Sequence, residues 1–137
     1  MKFLHTADLH LGRIFYEYPI LDDQQYMLDQ LMEILTGGSY NALVISGDVY
    51  DRSIPSPEAL SMFSAFLGKL RRQCPETEVL IIPGNHDSAA RLGFARELLG
   101  ELGVRIVIDP EEAFEPVIIS GGSGDCAFFL LPFLSPG

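Results

Sequence analysis

The sequence predicts an α/β domain: a mostly parallel sheet flanked by helices. Two observations carry this expectation. Short continuous runs of Val, Ile and Leu, such as "ALVIS" and "EVLIIP", read as strands buried on both faces. Stretches of helical period separate them, and strand–helix–strand alternation leads to parallel pairing through right-handed crossovers.

The elements follow in order. "KFLHTA" is the first strand. "DDQQYMLDQLMEILTGG" is a helix with Leu28, Leu31, Met32 and Leu35 on one stripe, stopped at Gly37 and Gly38. "ALVIS" is the second strand. "SPEALSMFSAFLGKLRR" is the second helix, with Ser56 as N-cap, Pro57 in the first turn and a stripe of Leu60, Phe63, Leu67 and Leu70. "EVLIIP" is the third strand. "SAARLGFARELLGELG" reads as one helix from the N-cap Ser88 to the stop at Gly103. "VRIVI" is a fourth strand. "EPVIIS" and "CAFFLLPF" are two more, paired antiparallel across the turn "SGGSG".

Composition narrows the function. The chain has 137 residues, 47% of them hydrophobic, enough for one domain with a core. It carries 19 acidic against 9 basic residues, a formal net charge of -10. Such a surface by itself repels nucleic acid, whose binding rests on Lys and Arg neutralising phosphates. It suits a cluster of acids that holds cations. Cys74 and Cys126 have no zinc spacing and read as separate thiols in a reducing cytoplasm. There is no apolar leader and no run near the ~20 residues of a membrane helix, so no membrane role is expected.

The chemistry lies in three loops. "ADLHLG" follows the first strand, "GDVYD" the second and "GNHD" the third. Ligands of an open parallel sheet bind beyond the carboxyl ends of its strands. Asp8, His10, Asp48, Asp51, Asn85, His86 and Asp87 are therefore expected at one edge. Crowded carboxylates raise one another's pKa and oppose folding, and a divalent cation removes the conflict. Aspartate oxygens, an imidazole and an amide carbonyl suit Mn²⁺ or Fe²⁺, and the lack of thiolates argues against structural zinc. Asp48 is suited to bridge two ions. Gly47 and Gly84 stand where the backbone must turn and approach a ligand closely. His5, inside the first strand, is expected to be a hydrogen-bonded structural residue.

Asp-x-His, Gly-Asp-x-x-Asp and Gly-Asn-His-Asp, each after a strand, resemble the calcineurin-like metallophosphoesterases. "KFLHTADLHLG", "ALVISGDVYDRSIPS", "IPGNHDSAARLGF" and "LLPFL" resemble the SbcD-type DNA nuclease branch, over essentially the whole chain. The resemblance implies a βαβαβ layered fold and two divalent cations, Mn²⁺ above all. It implies Asp8 and His10 as ligands of the first ion, Asp48 as the bridge and Asn85 as a ligand of the second. It implies that His86 is catalytic rather than a ligand. Asp51 and Asp87 would be supporting residues that orient the loops, with Asp87 also a candidate to hold the His86 ring. The implied partners are DNA and an SMC-type ATPase subunit.

The sequence also departs from that family, whose site draws on later histidines, including a Gly-His-x-His motif. Here nothing follows His86. Residues 1–137 are therefore expected to be the amino-terminal portion of a nuclease domain, inactive alone, with an open edge that favours a homodimer. Two alternatives compete. One is a phosphatase of the same fold, suggested by "GDVYDR", although such enzymes place Gly where Ser53 stands and Glu where Asp87 stands. The other is a non-catalytic, self-associating fragment. Among basic residues, Lys69, Arg71 and Arg72 read as favourable charge at a helix end. Arg91 and Arg96 lie after the metal loop, and Arg91 is the candidate DNA contact.

Overall fold

The computed structural model describes residues 1–94 and 96–136. Its central sheet has four parallel strands in the order β1 (Phe3–Thr6), β4 (Ala42–Ser46), β5 (Glu78–Ile82) and β6 (Val104–Ile106). Between β1 and β4 come a two-residue hairpin, β2 (Ile14–Phe15) and β3 (Tyr18–Pro19), and helix α1 (Leu21–Gly37). Helix α2 (Pro57–Gln73) joins β4 to β5. Helices α3 (Ala89–Leu92) and α4 (Arg96–Glu101) join β5 to β6.

Each strand lies beside its predecessor in the same direction. Right-handed crossovers then place every helix on one face. The packing agrees. Leu43, Ile45, Val79, Ile81, Val104 and Ile106 turn toward Leu28, Leu31, Met32 and Leu35 of α1 and Phe63, Phe66, Leu67 and Leu70 of α2. Alternate residues, Ala42 and Leu80, turn the other way. An antiparallel pair covers that face: β7 (Val117–Gly121) and β8 (Gly124–Phe128) bring Ile119 against it, and Leu130 follows. The parallel sheet, its helices and the last antiparallel pair are as expected, but that pair is a separate sheet layered on the first.

Ser56 accepts from Ala59 N at 3.2 Å and Ser88 from Arg91 N at 3.4 Å, so both N-caps are in place. Two expectations need correcting. The helix after "GNHD" does not run unbroken to Gly103. It stops at Leu92, and a new helix starts at Arg96. Gly93 marks the break: a Cβ there would sit 3.0 Å from Ile108, a tight contact that glycine avoids. Leu60 is not on the buried stripe of α2, being 45% exposed; Phe63, Phe66, Leu67 and Leu70 form it instead. The β2–β3 hairpin was not foreseen. His5 is a structural residue as expected, with Nε2 2.8 Å from Ser46 Oγ on the neighbouring strand.

Candidate metal centre

The three motif loops leave the carboxyl ends of β1, β4 and β5, side by side in the sheet. The first two continue to pair beyond their strands. Asp8 N donates to Gly47 O (3.0 Å), His10 N to Asp48 O (2.9 Å), Leu11 N to Val49 O (2.9 Å) and Asp51 N to Leu11 O (3.1 Å). The third loop is tied in by Gly47 N to Ile82 O (2.9 Å) and by His86 N to Asp48 Oδ1 (2.9 Å).

Close approach explains the glycines. A Cβ on Gly84 would lie 2.5 Å from Asp48 N and 2.8 Å from Asp48 Cγ, inside hard contact. Gly47, at φ +85°, could carry a Cβ only 3.1 Å from Gly84 Cα. Glycine at both positions therefore lets the second and third loops approach this closely.

Asp8, His10 and Asp48 each offer a ligand atom within 4.8 Å of one another. His10 Nε2 stands 3.8 Å from Asp8 Oδ1 and 3.7 Å from Asp48 Oδ2. These distances exceed a hydrogen bond and leave room for an atom among the three. On the far side of the ring, Nδ1 is buried without a hydrogen bond, and Asp51 Oδ1 lies 3.3 Å away, out of line for one. A carboxylate behind the second ring nitrogen is the usual support of a metal-bound imidazole. The donor set of two carboxylates and one imidazole fits a divalent cation such as Mn²⁺ or Fe²⁺.

The backbone adds independent support. Asp8, His10 and Asp48 have φ of 56°, 46° and 50°, a region that L residues avoid. Each such residue costs on the order of 1 kcal/mol and persists only where its surroundings impose it. Among the described residues, the other non-glycine positions with positive φ are Tyr16 and Glu17, in the turn of the β2–β3 hairpin; away from that turn the strain falls on the three residues whose side chains converge.

The remaining expected residues sit around this group. The His86 ring is edge-on to that of His10, centroids 5.4 Å apart, and is exposed, as is Asn85. Asp87 does not hold the His86 ring. Its Oδ1 accepts from Tyr50 N (3.0 Å), and its Oδ2 from Val49 N (3.1 Å) and Gly84 N (3.0 Å), so it clasps the second loop to the third. Burial, and then the charge of Asp87, push the Tyr50 phenol up to about 12. Arg91 is exposed and lines an apolar groove with Leu60, Phe63 and Leu102. Arg96 is engaged elsewhere, 2.7 Å from Glu112, and Arg71 donates to the carbonyls of Cys74, Thr77 and Leu102, so neither guanidinium stands open.

One contributor was missed. Gln24, 7% exposed on α1, reaches into the first loop: its Oε1 accepts from Gly12 N at 2.9 Å, and its Nε2 donates to His10 O at 2.8 Å and Leu9 O at 3.3 Å. The signal was its spacing, for Gln24 stands four residues before Leu28 on the buried stripe of the helix.

The same loops place the chain among known proteins. Residues 1–132 match the calcineurin-like phosphoesterase family. The chain belongs to that family. It is also 34% identical, over 133 residues, to the SbcD component of the nuclease SbcCD from Staphylococcus saprophyticus subsp. saprophyticus. That match covers 97% of this chain and 34% of the relative, so the chain spans about a third of the length of the curated protein it matches. This member of the phosphoesterase family presents three candidate metal ligands on two loops and an exposed histidine on the third. Among the described residues, no helix is long and apolar enough to cross a membrane.

Proposed function

We propose that the chain carries part of the active site of an SbcD-type DNA nuclease, which hydrolyses phosphodiester bonds with two Mn²⁺ ions in DNA repair and recombination. The observation that carries this reading is the convergence of Asp8, His10 and Asp48 within 4.8 Å, beside an exposed His86, in a chain similar to a nuclease component.

Asp8 and His10 would hold the first ion. Asp48 has one oxygen toward His10 and the other toward the third loop, which suits it to lie between two ions. Asn85, on that loop, would serve the second. When bound, a pair of such ions supplies a hydroxide nucleophile at neutral pH and offsets charge on the phosphate. His86 is left for the substrate: its imidazole would steady the charge developing on the phosphate or hand a proton to the leaving oxygen. Asp51 would fix the His10 ring from behind, and Asp87 would fix the loops. Arg91, exposed just past the third loop, would meet a DNA phosphate. Cations at the site would offset the acidity of the chain there and draw the strand in.

Histidines beyond those of residues 1–137 would complete the second ion's ligands, so this region alone would be inactive. An SbcC-like, SMC-type ATPase would be its partner in the cytoplasm, and a second copy would pair with it as a homodimer. The test is Mn²⁺-dependent cleavage of linear DNA, by this chain and by a chain extended through a Gly-His-x-His motif. Cleavage by the extended chain alone is the expected result. Cleavage of phosphoproteins or mononucleotides but not DNA would replace the nuclease with a phosphatase. Activity of residues 1–137 by themselves would overturn the division of the site.

A further inference from the structure

We infer that Gln24 is a positioning residue of the metal centre: its side-chain amide holds the first loop in the left-handed conformation that aims Asp8 and His10 at a common ion. The inference rests on the metal reading above and names a residue outside all three motifs.

The chain from Asp8 to Gly12 is unfavourable in isolation. Asp8 and His10 have positive φ, as does Gly12 at 87°. On one side this loop is held by backbone bonds to the second loop, from the N–H groups of Asp8, His10 and Leu11. On the other side two of its carbonyls, those of Leu9 and His10, face Gln24 of α1. Without Gln24, Leu9 O would be left in a buried place without that donor, at a cost of about 1–3 kcal/mol, and His10 O would keep only its longer bond from Arg13 N at 3.2 Å. Gly12 N would likewise lack an acceptor. Gln24 satisfies all three with one amide. Few side chains can do this, because the site needs two donors and one acceptor within a single planar group. A glutamate of the same shape offers acceptors only. A leucine of similar size offers nothing.

The placement of Gln24 reinforces the argument. It lies in the first turn of α1, one turn before Leu28, which is 1% exposed in the core. The amide is therefore fixed by the same helix that packs on the sheet, and the loop is referenced to the rigid part of the fold. Loss of such outer support lowers metal affinity by about 10–100-fold in other sites.

The test compares Mn²⁺ binding, measured as loss of free-ion EPR signal, in the wild type, Gln24→Leu and Gln24→Glu. Leu31→Ala serves as a control, since Leu31 lies on the same helix face and only in the core. All measurements are made at a temperature where circular dichroism shows each protein folded. Both Gln24 variants should weaken Mn²⁺ binding by roughly 10–100-fold, and Leu31→Ala should leave it unchanged although it lowers Tm. Amide exchange without metal gives a second readout: His10 and Leu11 N–H should lose protection in the Gln24 variants while β4 keeps its own. Unchanged Mn²⁺ affinity, with protection lost evenly across the fold, would make Gln24 merely structural and overturn the inference. Wild-type protein that binds Mn²⁺ but, in its extended form, fails to cut DNA would sink the nuclease reading and leave the role of Gln24 standing.

Discussion

The first two motif loops and the third are built differently. The loops after β1 and β4 are zipped by four backbone hydrogen bonds between residues 8–11 and 47–51, and Asp48 there is only 7% exposed. The loop after β5 reaches them through glycine contact, one N–H on Asp48 and the clasp of Asp87, and it presents Asn85 and His86 to solvent. One region is knit by backbone bonds and carries the strain, with Asp48 buried and Asp8 open to solvent; the other is held at fewer points. A metal ligand must be in place before the ion arrives, whereas a group that meets a large substrate must be reachable. On the proposed reading, the first region would hold the first ion, and the open loop would lend Asn85 to the second and His86 to the substrate.

The strongest way to break that assignment is His86→Ala. It removes an exposed ring and spares Asp8, His10, Asp48 and the backbone N–H that Asp48 accepts. Turnover by the extended, active protein should fall by about 10²–10⁴, the range for losing a proton-transfer group. Mn²⁺ affinity should stay within about threefold of wild type, as expected when no ligand is lost. A parallel collapse of metal binding would show that the two regions work as one. Asp87→Ala tests the seam itself. It strands the N–H groups of Val49, Tyr50 and Gly84, and stability in urea should drop by roughly 3 kcal/mol, since bonds to a charged acceptor are worth about 1.5–3 kcal/mol each and water re-enters part of the gap. A loss below about 0.5 kcal/mol, the level of an ordinary surface change, would mean that the glycine contact and the His86 N–Asp48 bond suffice to join the loops.

The same contrast explains what was legible in the sequence. The central strands β4 and β5 could be read because burial on both faces leaves them little choice but Val, Ile, Leu and Ala; the edge strands β1 and β6, which carry His5 and Arg105, followed from the alternation with helices. Once they were placed, Asp8, His10 and Asp48 followed, since parallel strands deliver their following loops to one edge. What stayed hidden depended on single long-range contacts. Gln24 looks like any polar residue near a helix start until its partners in the first loop are known. Asp87 next to His86 suggests a partner for that ring, but its oxygens point back to three backbone N–H groups instead. The break after Leu92 falls at Gly93, which packs close to Ile108, and helical periodicity carries no trace of it. Arg71 reads as favourable charge at the end of α2, and its bond to Cys74 O agrees, but its reach to Leu102 O and the pairing of Arg96 with Glu112 were not legible.

The smallest effect sits on the buried side of the seam. Tyr50 belongs to the second loop, packs edge-on against Phe63 at 5.8 Å, and lies near Asp87 of the third. Burial first, and then the Asp87 charge, raise its phenol from 10 to about 12. The unfolded chain therefore ionises Tyr50 at a lower pH than the folded one does. Between those values the native state holds the extra proton, so stability falls as pH rises. The contribution is complete below pH 10 and is lost on the way to about pH 12. Tyr50→Phe keeps the ring against Phe63 and removes the ionisation. The urea midpoints of the two proteins should match closely at pH 8, and the wild type should lose more than the variant at pH 11. In an Asp87→Asn background the gap between them should shrink without closing, because burial, the larger cause, remains. Equal losses at pH 11 would mean that Tyr50 ionises freely, and the second loop would then be wetter at its base than its packing against α2 implies.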